Sequence, residues 1–454
     1  MWKSSPRATL VASLLALPAC ASAGGPSYDA LRADVDRTAP LVSRTSVEDE
    51  RALTEPVLDR AAYVRAVLDR NLSVDEARMA WRAAVARTRE SGAPDDPTVT
   101  LGIAPLSIGS STVPLGYSAE IAERLPWPGK LAFEESAAKA EALAARSDFE
   151  ATRRELALSA SLLYDQYFIA VRSTEINAQH VALMKELKAG ALAQFENGRA
   201  SAQDPLQAEA ELTHMEHDAV TLASDRDVAV AQMNELLHRD PSAPLPPPAR
   251  DLVLPDASPV GGSDRLETEA ATTRPEIEAA RMHAQAEEAR ARRAERDSYP
   301  DVTVSTSYNS MWATPEHRWM VGLGFDLPIV LGRRAGAVEE ANAARGRYES
   351  EAARLTDRAR TEVAVAMRRL EEARHVVRLY ENRLLPVARD QIDAARAGFV
   401  SSRNDFVAVV GAERNLRSVE LSYQMARADV DRRQAELDRA VGRVPGLDAK
   451  EASR

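Results

Sequence analysis

The stretch that decides the fold is Leu125-Pro126-Trp127-Pro128-Gly129-Lys130, because a second version, Leu327-Pro328-Ile329-Val330-Leu331-Gly332-Arg333, follows about two hundred residues later. Before each copy, apolar residues alternate at every second position, which is typical of a β-strand. After each copy comes a long segment rich in Ala, Glu and Arg, which is typical of a helix. Proline suits the end of a strand, and glycine followed by a basic residue permits a sharp exit. The sequence therefore predicts strand, corner and very long helix, twice.

The composition agrees with long helices and argues against a nucleic-acid-binding protein. The chain has 454 residues, of which 28% are charged and 5% aromatic, and its net charge is -11 at pH 7. Length alone would suggest about three domains, but the repeated corner favours one body built from two related halves. Abundant Ala, Glu and Arg favour long helices over a compact α/β enzyme. An acidic chain also lacks the basic face that nucleic acid requires.

The N-terminus has the pattern of an export signal over residues 1–23, with a short basic start and an apolar run too short to span a bilayer. Two cleavage sites are compatible with it. Leu17-Pro18-Ala19-Cys20 resembles a bacterial lipobox and would place a lipid on Cys20, the only cysteine of the chain. This is the preferred interpretation. The alternative site, Ala21-Ser22-Ala23, would be cut before Gly24 and would discard Cys20.

The two halves of the chain carry the same order of elements. We expect a first repeat over 51–239 and a second over 264–442, joined by a Pro-rich linker at 240–263. An extended N-terminal segment at 24–50 and a C-terminal tail at 443–454 flank the repeats. Three matched anchor points lie 202–204 residues apart, and they are the two corners, the strand starts at Pro97 and Pro300, and the helical turns at Phe195 and Phe399.

Short alternating segments predict four β-strands, two in each repeat. In the clearest of them, Val321 and Leu323 alternate with Met320, Gly322 and Gly324. Strands of about ten residues with one apolar face are typical of outer-membrane β-barrels, although an amphipathic soluble hairpin has the same pattern. The predicted strands cover residues 97–105, 115–125, 301–309 and 318–328.

The segments that follow the strands predict helices of unusual length. Residues 129–195 would form one helix of about 100 Å at ~1.5 Å per residue. Residues 332–399 would form a second, with a kink at Pro386 that the first half lacks. A capping box at Ser73-x-x-Glu76 is predicted to begin an earlier helix, and Gly442 is predicted to end the last one.

Four strands are too few to close into a barrel, and an open sheet edge is not tolerated in lipid. If the apolar faces meet lipid, the barrel must be assembled from several chains, and three copies would supply twelve strands. Long helices with small residues along one stripe favour lateral packing into a coiled-coil wall. The predicted fold class is therefore mainly α with a small β part. Each chain would contribute four strands to a trimeric transmembrane β-barrel, continued by an α-helical barrel in the periplasm.

Several features together resemble the TolC family of outer-membrane efflux proteins over nearly all of residues 50–442. They are the duplicated strand-strand-helix-helix unit, the corner at 125–130, the Phe-x-x-Gly-Arg turn followed by Ala-Glu, and the lipobox. Within the family, the corner and the lipobox are most similar to the CusC and CzcC types, which serve heavy-metal export. The resemblance implies a lipid-anchored homotrimeric channel in the bacterial outer membrane, without a cofactor. The implied partners are a periplasmic adaptor (membrane fusion protein) and an RND-type inner-membrane pump driven by proton flux.

The resemblance also implies roles for the two helical turns, which would form the periplasmic tip. The implied aperture residues are Asp204, Phe399, Arg403, Asn404 and Asp405, and the implied adaptor-docking residues are Gly198, Arg199, Ser402 and Arg403. The second turn departs from the family, because Phe399 replaces a tyrosine and Ala408 and Gly411 replace aspartates. In the family, polar links between the helices close the tip at rest. In this chain such a lock must use other contacts, for which Arg403, Asn404 and Asp405 are the candidates. For each docking residue, an ordinary solvated turn is the alternative.

No enzyme motif surrounds any of the seven histidines, so no catalytic residue is assigned. His214 and His217, with Glu211 and Met215 nearby, would suit a metal ion if they shared one helical face. A polar helix surface is the preferred interpretation, and no metal site is assigned. Two other functions remain open. The same channel would serve organic-compound efflux, or the protein would be a periplasmic coiled-coil lipoprotein scaffold whose hairpins stay in solution.

Overall fold

The computed structural model describes residues 25–38, 53–252, 262–401 and 403–447. The predicted signal peptide at 1–23, with Cys20, and the turn residue Ser402 lie outside the described residues. Within them, helices dominate and the strands form one small antiparallel sheet, which confirms the predicted fold class for the single chain.

The elements follow the predicted order, with the long helices directly after the corners. The strands are β1 Thr98–Ile103, β2 Tyr117–Leu125, β3 Val302–Asn309 and β4 Trp319–Phe325. The helices are α1 Tyr28–Arg37, α2 Arg60–Arg70, α3 Leu72–Ser91, α4 Lys130–Glu196, α5 Gln203–Leu236, α6 Gly262–Thr273, α7 Pro275–Arg296, α8 Leu331–Leu379, α9 Leu385–Val400 and α10 Phe406–Val441. As predicted, Gly442 ends α10, and its φ of 92° places it in the left-handed region that favours glycine.

The chain divides into two compact units. The sheet unit comprises the described residues within 1–38, 80–146 and 279–352, and it holds all four strands. The helical unit comprises the described residues within 39–79, 147–278 and 353–454. Each unit therefore draws on both sequence halves. The predicted repeats at 51–239 and 264–442 describe the duplication and remain a prediction.

The strands are antiparallel and follow one another in chain order, β1-β2-β3-β4. The central pair joins the two halves of the sequence, because β2 of the first half lies against β3 of the second. Its register runs from Ser118 opposite Asn309 to Leu125 opposite Val302. Directly opposed residues of an antiparallel pair lie on the same face of the sheet, so this register fixes which side chains share a face.

The two long helices of the repeats differ in regularity. α4 is continuous over 67 residues, which is about 100 Å at ~1.5 Å per residue. In the second half, α8 is followed by a π-helical segment at Tyr380–Leu384 and then by α9. Pro386 lies in the first turn of α9, where it has no N–H to donate and its ring would clash with a carbonyl one turn earlier. The irregularity predicted at Pro386 is therefore present and takes the form of a π-helical segment.

The N-terminal segment expected to be extended contains a helix. The hydroxyl of Ser27 accepts a hydrogen bond from the N–H of Ala30 (3.2 Å) and begins α1. Leu31 and Val35 are buried on one face of the helix, and Asp34 pairs with Arg146 of α4 at 3.1 Å. Two buried positions are too few to reveal a helical period, which is why the prediction for 24–50 was wrong here.

A helix begins close to the predicted position at Ser73, but the capping residue was predicted wrongly. Ser73 lies inside α3, and Asn71 is the cap, because its Oδ1 accepts a hydrogen bond from the N–H of Ser73 (3.0 Å). The Asn71 amide also donates to the carbonyl of Leu236 in α5 (3.0 Å). That partner is 165 residues away in the sequence, so a local motif could not identify it.

The main apolar cluster of the helical unit surrounds the buried side chains of Tyr63, Tyr164 and Phe168. The described part of the Pro-rich linker packs on this cluster, and the N–H of Leu58 donates to the carbonyl of Pro247 (2.8 Å). No helix among the described residues combines the length and the apolar character needed for a transmembrane span.

Candidate membrane surface and helical tip

One face of the sheet is mainly apolar and is exposed in the single chain, with Glu123 as a charged member near the first corner. Val321 is 80% exposed, Leu101 76% and Leu323 65%. A monomeric soluble protein rarely exposes a contiguous set of large apolar side chains. The same face also carries Val99, Ile103, Ile121, Trp319 and Phe325, all of which are exposed.

The opposite face of the sheet carries mainly small or polar side chains, and Met320 and Arg124 are its larger members. Its pattern confirms the alternation predicted for β4, in which Val321 and Leu323 lie on one side and Gly322 lies on the other. Side chains of this size leave space in front of the sheet. The residues of this polar face include Thr98, Thr100, Gly102, Ser118, Glu120, Ala122, Thr303, Ser305, Ser307, Gly322 and Gly324.

An aromatic row lies at one end of the apolar face. The rings of Tyr117 and Tyr308 are 5.7 Å apart between centroids, and those of Tyr308 and Trp319 are 5.3 Å apart. The three residues come from β2, β3 and β4, so the row crosses most of the sheet. Aromatic side chains at the end of an apolar band are typical of the girdles of outer-membrane barrels.

Both edges of the sheet lack a strand partner in the described part of the chain, since β1 pairs with β2 alone and β4 with β3 alone. An open edge presents a row of backbone N–H and C=O groups. In hydrocarbon each such unsatisfied group costs several kcal/mol. One copy of this sheet is therefore incomplete in lipid.

The first corner, at 125–130, is closed by Asp301 from the second half of the chain. The Asp301 Oδ1 accepts hydrogen bonds from the N–H of Trp127 (2.9 Å) and from Lys130 Nζ (2.8 Å), and its Oδ2 accepts one from Arg124 (2.7 Å). The Trp127 ring stacks on Tyr299 at 5.3 Å. Asp301 is 6% exposed, so a nearly buried carboxylate serves as the counter-charge of two cations. Sequence reasoning missed this role, although an acidic residue directly after Pro300 was visible.

The second corner, at 327–333, has a different environment. Leu327 is 72% exposed and Ile329 is 82% exposed. Arg333, which matches Lys130 in the motif, is also exposed. The neighbouring Arg334 donates to the backbone carbonyl of Asp297 (2.6 Å).

The first helical turn, between α4 and α5, is built around Gly198. Its φ of 69° lies in the left-handed region, which glycine adopts without steric cost. The N–H of Arg199 closes the turn by donating to the carbonyl of Gln194 (2.8 Å). Gly198 and Arg199 are exposed, and Asp204 is half-buried in the first turn of α5. The docking and aperture roles implied for these residues remain predictions.

The second helical turn, between α9 and α10, is anchored by two aromatic rings. Phe399 lies 5.2 Å from Phe406 between centroids, and Phe406 is fully buried in an apolar cluster shared by α4, α5 and α10. The two turns of the chain are thus joined by apolar packing next to Phe399, the position where the TolC family has a tyrosine. Arg403, Asn404 and Asp405 are exposed and share one turn, and their role in a resting lock remains a prediction.

A buried ion cluster joins α4 to α10 in the helical unit. His180 Nδ1 lies 2.8 Å from the Glu413 carboxylate, and Nε2 lies 3.0 Å from that of Glu420. His180 is 4% exposed and Glu413 is fully buried. Burial lowers the pKa of His180, but the hydrogen bonds and charges of the two carboxylates outweigh it and raise the pKa to about 9. His180 is therefore an imidazolium at neutral pH, and its hydrogen bond lowers the pKa of Glu420.

The four residues considered for a metal site do not converge. The Glu211 side chain is 2% exposed and accepts a hydrogen bond from Arg414 Nε (2.6 Å). Met215 is buried, whereas His214 and His217 are exposed. Across the described residues, no group of three or more His, Cys, Asp or Glu is placed to hold a metal ion.

The chain is similar to a known protein family in sequence and to several solved structures in fold. Residues 266–443 match the family model described as "Outer membrane efflux protein". No curated protein matches the chain by sequence. Among solved structures, the outer-membrane channel OprN is similar with a TM-score of 0.71 and 20% identity, over 89% of this chain and 94% of that one. CusC gives a TM-score of 0.74 and 17% identity, over 86% of this chain and 93% of that one. The outer-membrane channel MtrE of Neisseria gonorrhoeae gives 0.69 and 16%, over 85% and 89%.

These likenesses establish the fold class, which is that of outer-membrane channel proteins built from long helices and short strands. The match over 266–443, which covers most of the second half, supports the outer-membrane efflux protein family that the sequence resembles.

Proposed function

We propose that this protein is the outer-membrane channel of a tripartite efflux system and acts as a homotrimer. One observation carries the proposal: a four-stranded sheet has an exposed apolar face, a polar opposite face and two open edges. The apolar face is stable in contact with hydrocarbon, but the unpaired backbone groups of the open edges are not. Three copies joined edge to edge would satisfy both conditions with a twelve-stranded barrel.

In this barrel, the polar face of each sheet lines the channel. Its Gly, Ser and Thr side chains are small, so they leave an aqueous path. The aromatic row of Tyr117, Tyr308 and Trp319 lies at a membrane interface. The helical part extends into the periplasm, and Cys20 carries a lipid that adds a second anchor.

The two helical turns form the periplasmic tip, where the adaptor docks. The inner-membrane pump supplies the energy. The residues that form the aperture are Asp204, Phe399, Arg403, Asn404 and Asp405. The residues that contact the adaptor are Gly198, Arg199, Ser402 and Arg403. The resemblance to the TolC family supports these assignments, together with the exposure of Gly198, Arg199 and Arg403.

Conductance in planar bilayers tests the channel. Purified protein should form stable pores, and a charge at Ser307 on the polar face should change their ion selectivity. Ser307→Glu should favour cations and Ser307→Lys should favour anions, with wild type between them. A periplasmic scaffold would form no pore, and equal selectivity of the two variants would contradict the lumen assignment.

The proposed cargo is heavy-metal cations, supported by the likeness of the corner and lipobox to the CusC and CzcC types. The described residues contain no metal-binding cluster. In this proposal the pump selects the cargo. Deleting the gene should raise sensitivity to zinc, cadmium, cobalt, copper or silver. Sensitivity to dyes and antibiotics alone would assign the channel to organic-compound efflux.

A further inference from the structure

In the proposed trimer, β4 of one copy meets β1 of the next copy at the open edges of the sheet. We propose that the two strands pair in the register that places Asp326 opposite Thr100. In this junction Arg333 meets the acidic pair Asp95–Asp96 of the next copy. The proposal rests on the proposed trimeric channel, because it specifies how the subunits join. It commits to one occupant of the open edges, a second copy of this chain.

The chain contains a template for this junction. Inside one copy, β2 ends the first hairpin and β3 begins the second, and they pair with Leu125 opposite Val302 and Arg124 opposite Thr303. Because the two hairpins are duplicates, β4 is the counterpart of β2, and β1 is the counterpart of β3. The contact between the last strand of one copy and the first strand of the next should therefore repeat the contact between the hairpins.

The sequence anchors convert the template into a register. Pro97 and Pro300 match at the strand starts, and Leu125-Pro126 matches Leu327-Pro328 at the corners. The pair Arg124–Thr303 then becomes Asp326 opposite Thr100 of the next copy. In the same register, Phe325 lies opposite Leu101, and Leu323 lies opposite Ile103.

The faces of the sheet support this alignment. Leu101 and Phe325 are both on the apolar face, and both are exposed in the single chain. A slip of one residue would place every apolar side chain of one strand beside the polar face of the other. Only this register, and registers displaced from it by an even number of residues, keep the apolar face continuous from one copy to the next.

The strand tilt is a further check. Following opposed residues from Thr100 through Glu120, Ser307 and Met320 leads to position 106 of the next copy, an advance of six residues per chain. Three chains advance eighteen residues over twelve strands. At about 3.3 Å per residue and about 4.8 Å per strand, this gives a tilt of roughly 45°, which suits a closed barrel.

Charge complementarity also favours the junction. In the internal template, Lys130 of the corner lies 2.8 Å from Asp301 and 3.4 Å from Asp297. The matching basic residue of the second corner is Arg333, and the positions that match Asp297 and Asp301 hold Pro94 and Thr98, which are not acidic. Asp95 and Asp96 lie between those positions, and both are exposed in one copy, as is Arg333.

Disulfide trapping in membranes tests the register. A disulfide requires Cα atoms within about 7 Å, so it distinguishes opposed residues from neighbours two positions away. The variant with Thr100→Cys and Asp326→Cys should form covalent dimers and trimers on oxidation. Two control pairs report the registers displaced by two residues in either direction, Thr98→Cys with Asp326→Cys and Ala104→Cys with Gly324→Cys. Single-cysteine variants, which keep Cys20, show the background.

Strong trapping by the Thr100–Asp326 pair, at least tenfold above both controls, is the expected result. Stronger trapping by either control pair would overturn the register. Each variant is also measured without oxidant for its oligomeric state in mild detergent. If the variants are trimers but a control pair forms the disulfides, the register is wrong and the proposed function stands. If every variant and the wild type are monomers, the proposed function is contradicted as well.

Charge reversal tests the contact of the second corner. Arg333→Glu should lower the temperature at which trimers dissociate in detergent, and reversal of Asp95 and Asp96 to Arg in the same chain should restore it. An unchanged dissociation temperature for Arg333→Glu would overturn the contact, and so would a failure of the double reversal to restore it.

Discussion

The corner at 125–130 and the corner at 327–333 both begin with Leu-Pro and both end with glycine and a basic residue. In the first, Lys130 is buried against Asp301, and Trp127 stacks on Tyr299. In the second, Leu327 and Ile329 are exposed by 72% and 82%. Similar sequences therefore have packed and paired side chains at the first corner and exposed apolar side chains at the second.

The difference follows from the position of each corner in the chain. The first corner is followed by a second hairpin, which supplies Asp301. The second corner comes after β4, and in the described part of the chain no further hairpin follows it to play this part. A duplicated unit whose last copy lacks a neighbour is suited to obtain that neighbour from another chain.

The largest effect is expected at the first corner. Asp301→Asn keeps the size of the side chain but removes the counter-charge of Lys130 and Arg124. Breaking one partner of a nearly buried ion pair costs on the order of 3–5 kcal/mol. The unfolding midpoint in detergent should fall markedly, and Thr98→Val, at the matching position of the first hairpin, should change it little. Equal shifts for the two variants would remove the distinction between the corners.

A charge on the apolar face should have the next largest effect. Val321→Arg or Leu323→Arg should impair membrane insertion by roughly 2–4 kcal/mol, because arginine would lie in the hydrocarbon. Ser307→Arg is the matched control on the polar face, and Gly322→Arg should likewise insert more readily and alter conductance. Membrane fractionation of the variants measures the difference, and similar losses on both faces would refute the face assignment.

A smaller effect is expected at the ion cluster of the helical unit. The folded-state pKa of His180 is raised to about 9, against about 6.5 for a free histidine. Its ion pairs therefore contribute their full stability below about pH 6.5, and this contribution is lost as the pH rises through about 9. His180→Gln should lower stability at pH 6 by about 1–3 kcal/mol. Melting curves at pH 6 and pH 10 should show wild type and variant converging at the higher pH, while both remain trimers.

The smallest effect on assembly is expected at Cys20. Cys20→Ala should abolish labelling with a radioactive fatty acid, because no other cysteine is available. The trimer should persist, since in this account the barrel alone holds the copies together. Fatty acid on the variant would contradict the lipobox interpretation, and loss of the trimer would show that the lipid supports assembly.

The sequence predicted those features that repeat along the chain. Alternation identified the strands, and the absence of proline in 129–195 identified α4. Features held by distant partners were not predictable. Asp301 and His180 each acquire their role from residues more than a hundred positions away, and a single sequence contains no record of such contacts. α1 was missed because only Leu31 and Val35 mark its buried face.

The most direct test of the central claim is the state of the purified chain. Light scattering or native mass spectrometry in detergent should find three copies, and removal of the detergent should cause aggregation through the exposed apolar sheet. A single copy that stays dispersed in plain buffer would contradict the account, because a sheet with that face and two open edges would then need no partner.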